Sequence, residues 1–230
     1  MARGKAIWVT RAQPGAAATA KRLEAMGFAP IVAPLLELRP IPDVAIELDG
    51  ISAIAFTSAN AVRAFAERCS ERSLRVFAVG EATALAAREW RFRTVLSTDG
   101  DVKVLAAAVA TRKRELPGAV LHPGAAEPAG DLKGALAKHG IEVRSVALYK
   151  SVRAPIAETL LSALPKLHGV LLHSPKAAQA LARFLKKHPA PQLKAWCLSK
   201  AVTRPLAKAS LAQLTASPSP NEEALLSLVE

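Results

Sequence analysis

Apolar residues along this chain come in short runs, separated by amphipathic stretches, and the two kinds alternate almost without exception. AIWVT (6–10) has strand character; GAAATAKRLEAMG (15–27) places its apolar positions at the helical period, follows Pro14 and stops at Gly27. FAPIVAPLLEL (28–38) is strand material cut by Pro30 and Pro34, which suit an edge or a change of direction. LRPIPD (38–43) follows as an extended connector, because a residue before proline is pushed away from the helical region. Strand–helix pairs then recur at 50–58 with 60–68, 74–80 with 81–89, 92–98 with 101–112, and 119–124 with 129–140. IEVRSVALYKSVRA (141–154) is a long strand pattern without a turn before Pro155. A helix at 156–164 leads into strands at 169–174, 193–199 and 211–217, each followed by a helix, at 176–188, 201–210 and 221–230. Such alternation predicts doubly wound α/β architecture, with parallel sheets covered on both faces. Ten strands are too many for one small sheet, so two sheets of about five are expected.

An internal repeat sets how the strands divide. AFTSANAVRAF (55–65) returns as LLHSPKAAQALARF (171–184): an apolar run, a hydroxyl residue, then an alanine-rich helix. Ser58 aligns with Ser174, Gly80 with Ser199 and Asp101 with Asn221, and the offset drifts by only a few residues. VTRAQPGAAATAKRLEAMG (9–27) likewise pairs with LHPGAAEPAGDLKGALAKHG (121–140). The order is a two-strand unit, a three-strand unit, and both again. The expected domains are therefore 43–145 as an insert and 1–35 plus 155–230 as a discontinuous partner. The crossings at 36–42 and 146–154 are expected to pair as a two-stranded antiparallel linker, a hinge about which two domains open and close on a ligand.

Hydrophobic residues make up 51% of the 230 residues and aromatics 4%, with much alanine, which suits close-packed helices and short aliphatic strands. Lys+Arg 31 against Asp+Glu 19 leaves +12, which implies anionic company: nucleic acid, an acidic membrane or a polyanionic small molecule. The densest basic runs, Arg112–Arg114 and Lys186–His188, sit at helix ends, where cations are ordinary dipole partners. No aromatics interleave with them, so a nucleic-acid stripe is disfavoured and a basic cleft favoured. Cys69 and Cys197 form neither a CxxC pair nor a disulfide framework and suit buried positions. His122, His139, His168, His173 and His188 lack metal-ligand spacing. No secretory leader or apolar run of membrane length is present, so a cytoplasmic protein without a membrane partner is expected. Dinucleotide, P-loop and nucleophile-elbow motifs are missing.

Ligands of doubly wound sheets bind beyond the carboxyl ends of the strands, where helix N-termini favour carboxylates and phosphates. Thr10, Arg11, Ser58, Asn60, Gly80, Thr83, Ser174, Lys176, Ser199 and Lys200 occupy those ends as candidate substrate-binding residues, with Glu81, His122 and Gly124 beside them. Helix capping alone would explain each Ser or Asn, solvation would explain the cations, and His122 and His173 suit neutral structural roles. The weight lies in several converging at two crevices. Tyr149, the single tyrosine, lies on a crossing strand.

VTR (9–11), FTSANAV (56–62), FAVGEATA (77–84), VALY (146–149), LLHSPKAA (171–178) and CLSKAV (197–202), in this order and spacing, resemble the uroporphyrinogen-III synthase family over nearly the whole chain. The resemblance implies two flavodoxin-like domains, a site in the cleft between them, and no cofactor or metal. It implies hydroxymethylbilane as substrate, a linear tetrapyrrole with eight carboxylates. Its hydroxyl is eliminated, ring D inverted through a spiro intermediate, and the macrocycle closed to uroporphyrinogen III. It further implies a monomer, supplied by the preceding pathway enzyme. Tyr149 matches the tyrosine thought to assist hydroxyl departure, Ser58 and Ser174 match positions holding acetate or propionate groups, and Thr83 matches a Gly-x-x-Thr turn. Two departures stand out: Val202 takes the threonine position of the second copy, with Thr203 one residue on, and Trp90 replaces a helix-ending glycine. A non-catalytic binding protein for an anionic small molecule would share this folding logic; only Tyr149 argues for chemistry.

Overall fold

The computed structural model describes residues 4–13, 15–98 and 100–230. Pro14, the expected entry signal of the first helix, lies outside the described residues. The chain divides into two compact units. One holds the chain up to Glu37 and again from Val152 to Glu230; the other holds Leu38–Ser151.

The first unit begins with β1 (Ala6–Val9), α1 (Gly15–Ala25) and β2 (Ala29–Val32). After β3 (Leu36–Pro40) come β4 (Ile51–Phe56), α2 (Ala59–Ala66), β5 (Arg75–Val79), α3 (Glu81–Glu89), β6 (Val95–Thr98) and α4 (Val102–Ala110). Then follow β7 (Ala119–Ala125), α5 (Leu132–Ala137) and β8 (Val143–Arg153). The chain closes with α6 (Glu158–Ala163), β9 (Leu167–Leu172), α7 (Pro175–Lys187), β10 (Lys194–Cys197), α8 (Lys200–Thr203), β11 (Gln213–Ala216) and α9 (Glu222–Leu226).

Two sheets result. One runs β11-β10-β9-β1-β2, with every pair parallel. The other runs β3-β8-β7-β4-β5-β6 and is parallel from β8 to β6. β3 closes its edge against β8, where Ile41 N–H donates to Leu148 O at 2.9 Å and Ala154 N–H to Leu35 O at 3.1 Å. Pro30 sits in β2, an edge strand, where its missing N–H costs no ladder bond.

The strand period of two splits each sheet's side chains between two cores. From the first sheet, Trp8, Val170, Leu172 and Cys197 pack with α7, and Trp8 meets Phe184 edge-on at 5.4 Å. Ile7, Val9, Leu171 and Trp196 face the other way, against Leu23, Leu225 and Leu226. In the second sheet Ile54 and Phe56 join a Phe56–Phe65–Phe92 cluster, while Ala53 and Ala55 pack on Leu105, Leu132 and Leu136. Cys197 is fully buried, and burial pushes its thiol up to about 12; Cys69 is half-buried.

Several elements differ from the sequence expectation. The described residues form eleven strands, five in one sheet and six in the other, because 28–38 breaks into β2 and β3. The 201–210 helix is a single turn, α8, followed by a 3-10 turn at Arg204–Leu206, since Pro205 cannot donate onward. The 129–140 helix shrinks to α5, which starts only after its N-cap Asp131. Where a glycine was missing at Trp90, Arg91 adopts the left-handed conformation (φ 65°), and Arg72 Nε donates to the Trp90 carbonyl at 2.7 Å. No described helix is long and apolar enough to cross a membrane.

Candidate functional site

In the second unit, β4 ends at Phe56 and the chain turns through Thr57 and Ser58 into α2. Ser58 is extended (φ −162°, ψ 152°), and its Oγ accepts the Ala61 N–H at 3.1 Å, as an N-cap should. The same Oγ lies 3.1 Å from the hydroxyl of Tyr149. β8 delivers that tyrosine: it pairs with Ala125 of β7 just past a register shift, and Ala126 N–H donates to its carbonyl at 2.8 Å. Burial raises the Tyr149 pKa, and the Ser58 hydrogen bond pulls the other way. Tyr149 therefore stays protonated at neutral pH. Beside it, Thr57 Oγ1, just past the end of β4, and Nε2 of His122 in β7 are 3.3 Å apart. His122 is buried, and burial lowers its pKa, so its imidazole is neutral.

Asn60 stands half-buried in the first turn of α2. Gly80 is the N-cap of α3 at φ 74°, ψ 155°, a conformation side chains rarely adopt. Thr83, buried in the first turn of α3, donates its N–H to the Gly80 carbonyl at 3.2 Å. The open N–H groups at the starts of α2 and α3 give this end of the sheet a favourable potential for anions.

At the strand ends of the first unit several polar groups are already engaged. Thr10 is buried and its Oγ1 donates to Leu171 O at 2.6 Å. Arg11 is not an open cation: its Nη1 is 2.9 Å from Glu222 Oε2. Glu222 also accepts from Thr19 Oγ1 through Oε1 and pairs with His173 Nε2 at 3.0 Å. Burial alone would raise the Glu222 pKa, but the His173 hydrogen bond and charge, then Thr19 and Arg11, outweigh it and hold the carboxyl at about 2. Among the described residues His173 Nδ1 is a buried polar atom without a partner. Ser174 caps α7, accepting from Ala177 N–H at 3.2 Å, and Lys176 follows in the first turn. Ser199 precedes α8 without a side-chain capping bond, and Lys200 is exposed on its first residue. Val202 is buried, while Thr203 Oγ1 donates to Lys200 O at 2.9 Å.

The structure thus brings Ser58 and Tyr149 together, adds Thr57 and His122, and ties Arg11 to Glu222, Thr19 and His173. Glu222 escaped sequence reasoning. Its one signal was an acidic residue following a capping Asn221 in a strongly basic chain.

A family model described as Uroporphyrinogen-III synthase HemD matches residues 17–227. No curated protein sequence matches significantly. Among solved structures, uroporphyrinogen-III synthetase from Helicobacter pylori is similar, with TM-score 0.68 and 18% identity over 98% of this chain and 97% of that one. A mutant uroporphyrinogen III synthase from the extreme thermophile Thermus thermophilus has TM-score 0.60 and 18% identity, over 98% and 96%. At these identities the structures speak to the fold: mixed α/β with two largely parallel sheets. The family match spans most of the length, and on that ground the chain belongs to the uroporphyrinogen-III synthase family.

Proposed function

We propose that the chain is a uroporphyrinogen-III synthase, which converts hydroxymethylbilane to uroporphyrinogen III and water. The Ser58–Tyr149 hydroxyl pair, at a strand end of a chain of this family, carries the reading. Ser58 Oγ already accepts one backbone N–H, and one of the two hydroxyls donates to the other. When Ser58 is the donor, the phenol O–H of Tyr149 is left uncommitted. A substrate that loses its terminal hydroxyl as water needs such a donor, and a Tyr149 held protonated by burial supplies it through the neutral range. Tyr149 is then the catalytic residue. Ser58, Asn60, Gly80 and Thr83 hold carboxylates through hydroxyls and helix-start amides, as do Ser174, Lys176, Ser199 and Lys200 in the other unit. For Thr10 and Arg11 the proposal is narrower. With their side chains engaged, they shape the strand end that the substrate meets.

The unassisted substrate closes to the type I isomer, so the enzyme's task is to fix a conformation in which ring D inverts before closure. Two flavodoxin-like domains, 1–35 with 155–230 and 43–145, suit that task when joined by flexing strands at 36–42 and 146–154. The strand order β2-β1-β9-β10-β11 supports the flavodoxin-like assignment. A single-chain protein is sufficient for this scheme.

The test supplies freshly made hydroxymethylbilane and separates the product isomers by chromatography. Type III product is expected. If type I alone forms in the presence of folded protein, the synthase assignment is wrong, and binding without turnover identifies a non-catalytic carrier.

A further inference from the structure

A hollow of 670 Å³ in the first unit has no part in the site described above. It lies between α7 and the segment after α8. Arg183 and Lys186, three residues apart, rise from the C-terminal half of α7. Arg204 and Lys208 line it from the segment following α8. The floor is apolar, with Leu185 and Pro205 among its residues, and among the described residues no carboxylate or aromatic side chain lines it. The four cations are exposed, so a ligand here keeps one side in water.

Each feature narrows the occupant. Four cations without a carboxylate select a molecule with several negative groups. The apolar floor selects one with an apolar body rather than a compact ion. A nucleic acid would want aromatic platforms, which the lining lacks. Compact phosphates prefer helix N-termini, whereas the cations of α7 stand near its C-terminal, electronegative end. The volume lies in the range of small-molecule sites, roughly 300–1,000 Å³. The geometry points to a second, non-catalytic binding site for an amphipathic polycarboxylate of the product's class, an apolar macrocycle rimmed with carboxylates. The biological identity of that ligand rests on the synthase reading; the chemistry of the groove does not. The site holds finished macrocycle away from the strand ends and gives four of the chain's many cations a ligand.

The test is a fluorescence titration with uroporphyrin I, a stable macrocyclic octacarboxylate, on the full chain. Arg183→Ser/Arg204→Ser is expected to remove one binding component or weaken it by about tenfold or more. Arg183→Lys/Arg204→Lys should keep that component, and all three proteins should melt alike and form type III isomer at rates within about twofold. An unchanged isotherm in the serine variant overturns the site. So does displacement of the porphyrin by a glutamate peptide with equal effectiveness, which would make the groove a protein-docking surface. If the serine variant melts early, Lys186→Ser/Lys208→Ser provides the same comparison. A wild-type chain that makes no type III isomer refutes the function while leaving this titration readable.

Discussion

Replacing Glu222 with glutamine keeps the side chain's shape and removes the charge that Arg11, Thr19 and His173 share. The carboxyl sits at about 2 in the folded chain against 4.5 unperturbed, so the ionised form contributes about 3 kcal/mol at neutral pH. Because the folded pKa is the lower one, this contribution is complete above the unfolded value and fades as pH falls from 4.5 toward 2. Glu222→Gln should therefore cost the first unit about 3 kcal/mol near pH 7, and only about 1 kcal/mol near pH 2.5. In urea at neutral pH the midpoint should drop by about 1–2 M. The probe is tryptophan fluorescence in a Trp90→Phe background, which leaves Trp8 and Trp196, both buried in the unit that Glu222 belongs to. A gap between parent and variant that stays constant from neutral to acid pH would refute the electrostatic account. A gap that widens in acid would reverse its sign.

Tyr149→Phe should lower the turnover number for type III product by about tenfold or more while leaving the melting temperature nearly unchanged; equal turnover would remove the hydroxyl from the chemistry. Ser58→Ala loses both an N-cap and the tyrosine's partner, so it should cost about 1 kcal/mol of stability and raise KM as well, measured by urea melts and initial rates. Gly169→Ala should destabilise the first unit by about 1–3 kcal/mol in the same melts, because a methyl there overlaps the indole of Trp196, which has no room to move.

Much of this was legible in the sequence where the physics is local. Ser58 and Ser174 announce themselves because capping needs only a hydroxyl and the next turn of backbone. The unbroken apolar run Ala6–Val9 betrays a strand buried on both faces, Trp8 toward one core and Ile7 and Val9 toward the other. What stayed hidden depends on distance along the chain. Arg11 looks like an open substrate cation until Glu222, 211 residues later, folds beside it. Thr10 looks like a binding hydroxyl until Leu171 brings its carbonyl over. Short elements fail for a different reason: one helical turn such as α8 carries too few positions to express a period, and Pro205 ends it early.

The two cysteines have a practical consequence. A thiol held at about 12 and sealed in the strand core is nearly inert to alkylation, whereas the half-buried Cys69 keeps some access to solvent. A maleimide dye should therefore attach at Cys69 alone on the unmutated chain. That gives the Leu38–Ser151 unit a native single-site label with which to follow its response to substrate in real time.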